Sequence, residues 1–165
     1  MQLSTQRTIL RPLSPNDADS FYLINTDKEV LKYTGDEPFA SVEEARVFLE
    51  GYDQYQKYGV GRMAVISKSD NNFLGWCGLK YHPGSDMYDI GFRFFRKYWG
   101  KGYATESARA CIEYGLKELK IKKIVGRAHK ENIASHKAME KCGMNFVKEF
   151  DFEGQTGVWY EIDGE

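Results

Sequence analysis

Charge of one sign is what this sequence lacks most clearly. Lys and Arg total 23 against 24 Asp and Glu, a formal net charge of −1. That argues against the basic footprint expected of a nucleic-acid binder, while leaving room for a local basic patch facing one small anion. Cysteine is scarce, with three residues, Cys77, Cys111 and Cys142, odd in number and widely spaced. No Cys-x-x-Cys or Cys/His ligand pattern occurs, so no metal site is expected. Free buried thiols in a reducing compartment are the default reading. Apolar runs of membrane-spanning length are missing. The start, Met1-Gln2-Leu3-Ser4-Thr5, lacks the basic stretch and apolar core of a secretory signal. Repeats, low-complexity tracts and long linkers are absent too. The expectation is therefore one domain over residues 1–165, cytoplasmic, without nucleic-acid or membrane partners. His82, His129 and His136 stand isolated, as packed or surface histidines usually do.

What is present is an ordinary globular composition, 42% hydrophobic and 28% charged, with aromatics at 15%. Rings of that abundance fill a core first and can also line a cleft. Thr8 to Leu13 reads as a short strand closed by Pro12 and Pro15. Residues 16–27 read as a helix with Ala18, Phe21, Tyr22 and Asn25 on one face. Ser41-x-x-Glu44 has the capping-box pattern. It opens a helix to about Tyr58, with Ala45, Phe48, Leu49 and Tyr52 on its apolar stripe. Segments 62–68 and 73–81 flank a turn at Ser69 to Asn72 and read as a hairpin. Residues 87–95 form a further strand in which Asp89, Gly91 and Arg93 alternate with Ile90, Phe92 and Phe94. A helix over about 103–119 carries Ala104, Ala108, Cys111, Ile112, Gly115 and Leu119 on one stripe. Then come a strand at 123–128, a short helix between Asn132 and Gly143, and closing strands near 144–152 and 157–162. The fold class is α/β (α+β) in one domain, with a strand–helix–strand unit at 87–128.

The stretch joining that strand to its helix is Lys97-Tyr98-Trp99-Gly100-Lys101-Gly102-Tyr103-Ala104-Thr105-Glu106. A helix N-terminus offers unpaired N–H groups and the positive end of a dipole. Glycines let several of those groups converge on one anion, for which a diphosphate is a natural occupant. A dinucleotide fingerprint fails here, because Thr105 stands where a third glycine is needed. A Walker loop fails because Tyr103 follows Gly102. From the glycines alone, a plain structural turn is an equal alternative.

The longer string resembles the GNAT (GCN5-related N-acetyltransferase) superfamily, and within it the RimJ/RimL-like branch that acetylates ribosomal-protein N-termini. The superfamily's cofactor signature is Gln/Arg-x-x-Gly-x-Gly/Ala. Here Lys97 departs from its first position, while the branch's Trp-Gly-x-Gly-Tyr-Ala-Thr-Glu is matched throughout. Thr8-Ile9-Leu10-Arg11-Pro12-Leu13 is similar to the branch's opening strand, and Asp89-Ile90-Gly91-Phe92 to its Glu-Ile-Gly-Tyr strand. Asn132-Ile133-Ala134-Ser135, followed by Glu140-Lys141-Cys142-Gly143-Met144, is similar to its Asn-x-x-Ser helix ending in Gly-Phe, with Met144 the departure.

The resemblance implies a central, mostly antiparallel, twisted sheet of about seven strands with about four helices. It implies direct transfer of an acetyl group from acetyl-coenzyme A to an amine, a protein N-terminus or else a small amine such as a polyamine, antibiotic or amino acid, by a monomer or homodimer; the other alternative is a non-catalytic acyl-CoA-binding module. The attacking amine must be neutral, which an α-amine (pKa about 8) meets more easily than lysine (about 10.4). Asp89 is the candidate base, acting through water; the alternative is a salt-bridged strand acid. Ser135 is the candidate proton donor to the leaving thiolate; the alternative is a first-turn capping hydroxyl. Asn132 is expected on the pantetheine arm, as helix cap, or both. Phe94, Phe95 and Arg96 are expected beside the pantetheine amides, with a main-chain N–H near Phe94 polarising the thioester carbonyl. Gly100, Gly102, Tyr103, Ala104 and Thr105 are expected to bind the diphosphate, with Lys97 and Lys101 adding charge or lying on the plain surface. Cys142 reads as core rather than nucleophile. Acceptor choice is assigned to the first helices and the loops 33–39, 81–87 and 150–157, where no basic cluster is evident; Tyr33, Asp36, Tyr58 and Arg62 are plausible contacts.

Overall fold

The computed structural model describes residues 1–165. Its strands are β1 (Leu3–Ser4), β2 (Thr8–Pro12), β3 (Arg62–Ser67), β4 (Phe73–His82), β5 (Met87–Phe94), β6 (Lys123–His129), β7 (Asn145–Phe152) and β8 (Gln155–Asp163). They form one eight-stranded sheet in the order β1-β2-β3-β4-β5-β6-β8-β7. The strand beyond the expected set is β1, whose two residues are too few to show a period.

Neighbours are antiparallel except β5 and β6, which are parallel. A parallel pair needs a crossover, and helix α5 (Tyr103–Lys117) supplies it. Gly115 lets α5 approach closely, since a Cβ there would lie 2.7 Å from Leu79 Cδ1. Ala108, Cys111 and Ile112 of α5 pack with Leu79, Ile90 and Phe94 in the larger core. Helix α6 (Ile133–Lys141) lies beside α5 and adds Met139 to that core.

The opposite face carries α1 (Ala18–Ile24) and α3 (Val42–Glu50), packed on Ala64 and Ile66 through Phe21, Ala45 and Leu49. The helix expected to run to Tyr58 breaks at Gly51, and α4 (Gln54–Tyr58) begins after Asp53. Ser41 does cap α3, accepting from the Glu44 N–H at 3.1 Å. Phe48, expected on the buried stripe, is 48% exposed, although its ring stacks on Phe21. Helix α2 (Lys28–Leu31) is a single turn capped by Asp27.

β5 and β6 pair only at Tyr88–Ile124, Asp89–Val125 and Ile90–Gly126. Beyond Ile90 and Gly126 both strands continue, to Phe94 and His129, without pairing to each other. The sheet therefore splits at this vertex, and the split sets the position of the site.

Candidate functional site

The split opens into a cavity of about 620 Å³. One wall is the unpaired end of β5 with the loop after it, lined by Phe92, Arg93, Phe94, Trp99, Gly100 and Gly102. The head of α5 contributes Tyr103, Ala104 and Thr105, and the facing wall is α6 with Asn132 and Ser135. Tyr33 and Thr34, just after α2, close the third side.

The loop folds as its glycines dictate. Gly100 has φ 72° and Gly102 φ 84°, left-handed values that L side chains resist. Gly102 is the N-cap of α5 and brings no side chain to cap the helix. The main-chain N–H groups from Gly100 to Thr105 accordingly find no acceptor in the protein; the first N–H of the helix to do so is that of Glu106, which bonds Gly102. Several donors thus point the same way at the positive end of a helix of 15 residues.

On β5 the Phe95 N–H turns to β4, donating to Leu74 at 3.1 Å. Along an antiparallel pair, residues alternate between facing the partner and facing away with their main-chain N–H and C=O groups, so those of Phe94 and Phe92 turn to the split side. In agreement, the Phe94 carbonyl accepts the Trp99 indole N–H at 2.9 Å. An extended chain laid in the split would find a strand edge to pair with.

Asn132 caps α6, its side-chain oxygen accepting from the Ser135 N–H at 3.4 Å. The Ser135 hydroxyl itself makes no hydrogen bond to protein, so it is not spent as a cap. Lys137 and Lys141 follow on the same face and also line the cavity.

Of the residues expected in the site, the structure brings together Phe94, Gly100, Gly102, Tyr103, Ala104, Thr105, Asn132 and Ser135. It does not bring Phe95, Arg96, Lys97 or Lys101 to the cavity. The strand ends at Phe94 and a 3₁₀ turn over Arg96–Tyr98 carries these side chains outward. Phe95 packs against Phe73, Arg96 pairs with Asp27 at 3.0 Å, Lys97 lies over the Tyr98 ring, and Lys101 is exposed.

Asp89 is also outside the cavity lining. It is buried, with Arg62 Nη2 at 2.9 Å, His82 Nε2 at 2.8 Å and Arg127 Nη2 at 2.8 Å. Burial alone would raise its pKa. The Arg62 charge, with the His82 and Arg127 hydrogen bonds, outweighs that and holds the carboxyl far below the usual carboxylate range. Such a carboxylate is a poor proton acceptor near neutral pH. Arg127 lies one residue past the last paired residue of β6, so the cluster clamps the vertex of the split.

Sequence reading named Tyr33 and the loop 33–39 on this side but missed helix α2 before them and the α6 lysines. Arg93 ties that side down, donating to Asn25 Oδ1 at 2.9 Å and Asp36 Oδ2 at 2.7 Å while lying over Trp76. Tyr33 stands near the buried His129, whose ring stacks on Phe152.

Residues 7–145 match the acetyltransferase (GNAT) domain family. The chain is 31% identical over 165 residues to the uncharacterised N-acetyltransferase p20 of Bacillus licheniformis, covering 97% of this chain and 92% of that one. A GNAT-family acetyltransferase structure from Bacillus anthracis superposes with a TM-score of 0.85 at 28% identity, covering 99% and 98%. The ribosomal L7/L12 α-N-protein acetyltransferase RimL, solved with coenzyme A, shares the fold with a TM-score of 0.86 at 15% identity, covering 99% and 98%. The chain belongs to the GNAT acetyltransferase family.

Proposed function

We propose that this acyltransferase moves the acetyl group of acetyl-coenzyme A directly to a primary amine, in the first instance the α-amine of a protein N-terminus. One observation carries the reading: the donor-rich head of α5 sits at one end of a split whose walls hold a free strand edge and an uncommitted serine. The open N–H groups of Gly100 to Thr105 suit a diphosphate. The split-side main chain of Phe92 and Phe94 suits the pantetheine amides, and the Phe94 N–H suits the oxygen that gains charge during attack. The thioester supplies the activated acyl group.

Ser135 passes a proton to the departing thiolate and regains one from the amine nitrogen, which gives it up as the amide forms, and Asn132 orients the arm while capping α6. Asp89 stays ionised throughout and holds β6 against β5. An α-amine needs little help to lose its proton, because its pKa of about 8 leaves a fair neutral fraction near pH 7. The loop 33–39 meets the β7–β8 turn on the acceptor side, where a Cβ on Gly35 would fall 2.6 Å from Glu153 Oε2. That bridge favours a slender acceptor, a chain terminus or a small amine, over a lysine on a folded surface.

The test is acetyl transfer followed by mass spectrometry, using a panel of N-terminal peptides beside polyamines and amino acids. Transfer to peptide α-amines supports the proposal. Turnover confined to small amines would replace the acceptor assignment, and coenzyme A binding without any acetylated product would overturn the transferase reading.

A further inference from the structure

Glu106 ends the loop motif, yet it does not line the cavity. Its carboxylate turns instead to the β1–β2 turn. Oε2 accepts from the Arg7 main-chain N–H at 3.0 Å and from the Thr5 hydroxyl at 2.6 Å. Oε1 pairs with Arg7 Nε at 2.8 Å. Partial burial would raise the Glu106 pKa, but the bonds from Thr5 and Arg7 outweigh it and hold the carboxyl below its usual range.

Arg7 is thereby fixed in one pose. Its guanidinium carbon stands 4.1 Å from the centroid of the Tyr103 ring. Its Nη2 is the one atom near the position a Cβ would take on Gly102, at 3.4 Å. Only Nε is engaged by Glu106, and neither Nη1 nor Nη2 finds an acceptor in the protein. The free end of the fork thus lies against the glycine that starts α5, beside the open N–H groups. Arg7, like Lys97 and Lys101, is not itself among the residues that line the cavity; it stands against Gly102 and Tyr103, which are.

We infer that Arg7 is a binding residue for the phosphate groups of coenzyme A, and that Glu106 is the positioning residue that aims it. The inference rests on the reading of the α5 loop as the diphosphate site. An arginine fork is suited to phosphate oxygens and loses little freedom when already oriented. Glu106 takes the Nε donor and leaves the Nη2 end of the fork against Gly102. This gives the motif's acid a task that its sequence position alone does not reveal.

The experiment compares two donors, acetyl-coenzyme A and S-acetyl-pantetheine, which lacks the diphosphate and nucleotide. The readout is the ratio of kcat/KM for the two donors in the full-length chain and in Arg7→Gln, Arg7→Lys and Glu106→Gln. Arg7→Gln and Glu106→Gln should lower the preference for acetyl-coenzyme A about tenfold, chiefly through its KM. Arg7→Lys should recover part of the preference, since it keeps the charge without the fork. Equal losses on both donors would mean the clamp is merely structural and would overturn the inference. An unchanged ratio would remove Arg7 from the site. Should the unsubstituted chain show no preference for acetyl-coenzyme A and no coenzyme A binding in calorimetry, the diphosphate reading itself would fall. Arg7 is only half-buried and Arg7→Lys keeps its charge, so the Arg7 results stand even if Glu106→Gln fails to fold.

Discussion

Exchanging Asp89 for asparagine keeps the shape of the side chain and removes its charge. The carboxylate side chain is 7% exposed, and its partners Arg62, His82 and Arg127 are 18%, 27% and 27% exposed. Breaking a buried ion cluster from one side costs about 3–5 kcal/mol. Asparagine keeps one oxygen to accept with, and the cations touch solvent, so the lower end, about 3 kcal/mol, is expected. For a chain of this size each kcal/mol moves Tm by about 3 °C, giving a drop of about 9 °C near neutral pH. Because the native carboxyl titrates below its unfolded value of about 3.9, its stabilisation is full above that pH and lost as pH falls toward the native value. The gap in Tm between the two proteins should therefore hold down to about pH 5 and close only in stronger acid. Activity should fall modestly, with the shape of the pH–rate profile kept, because the residue holds the vertex and does not accept the proton. Thermal melts by circular dichroism, paired with acetyl-transfer rates from about pH 6 to 9, read both effects. A loss of about 10²–10⁴ in kcat, with the ascending limb gone and Tm unmoved, would make Asp89 the base after all and refute this reasoning.

Three other substitutions or probes bear on the site. Gly102→Asp should abolish coenzyme A binding in calorimetry while the chain still folds: aspartate tolerates φ 84° at a cost of about 1–2 kcal/mol and sets a carboxylate where the diphosphate would lie. Unchanged affinity would count against the loop. Ser135→Ala should cut kcat about 10²-fold with little change in coenzyme A affinity, and equal turnover would take Ser135 out of the acid role. Cys77, Cys111 and Cys142 are all free and buried, and burial pushes the Cys142 thiol up to about 11. A disulfide thiol reagent near pH 8 should thus find no fast thiol in the native chain and all three after unfolding; rapid native labelling of Cys142 would contradict the burial argument.

Much of the loop was legible because its chemistry is local. Two glycines between a strand and a helix, with Trp99 before and Tyr103 after, already predict an open helix head, and Asn132 before Ile133 predicts the cap found there. For Asp89 the sequence left base and salt-bridged acid both open, because its partners come from β3, β4 and β6, with Arg127 lying 38 residues away. No spacing rule within β5 announces them. Arg96 was misplaced by a turn of three residues, after which a side chain expected on the strand edge meets Asp27 instead. Helix α2 is four residues long, too short for a helical period, so it went unseen although Tyr33 beyond it was named. Lys137 and Lys141 did carry a signal: they sit four residues apart on the helix that starts with Asn132, and that spacing shares a face.

The topology explains why main chain, more than side chain, dominates the proposed binding surface. An antiparallel sheet of this order has one parallel junction, between β5 and β6, and the crossover that makes it must leave β5 at its C-terminal end. The head of α5 is therefore carried to the end of β5, where the strands part. Parting frees one edge of β5, and a glycine cap leaves the helix head bare, so two sets of unsatisfied backbone donors face one cavity. An eight-stranded sheet with that junction closed by full β5–β6 pairing would be better hydrogen-bonded but would have no slot. The Asp89 cluster sits at the last point where pairing persists. Its charges hold the two strands together there, and the unpaired residues beyond it leave the split open.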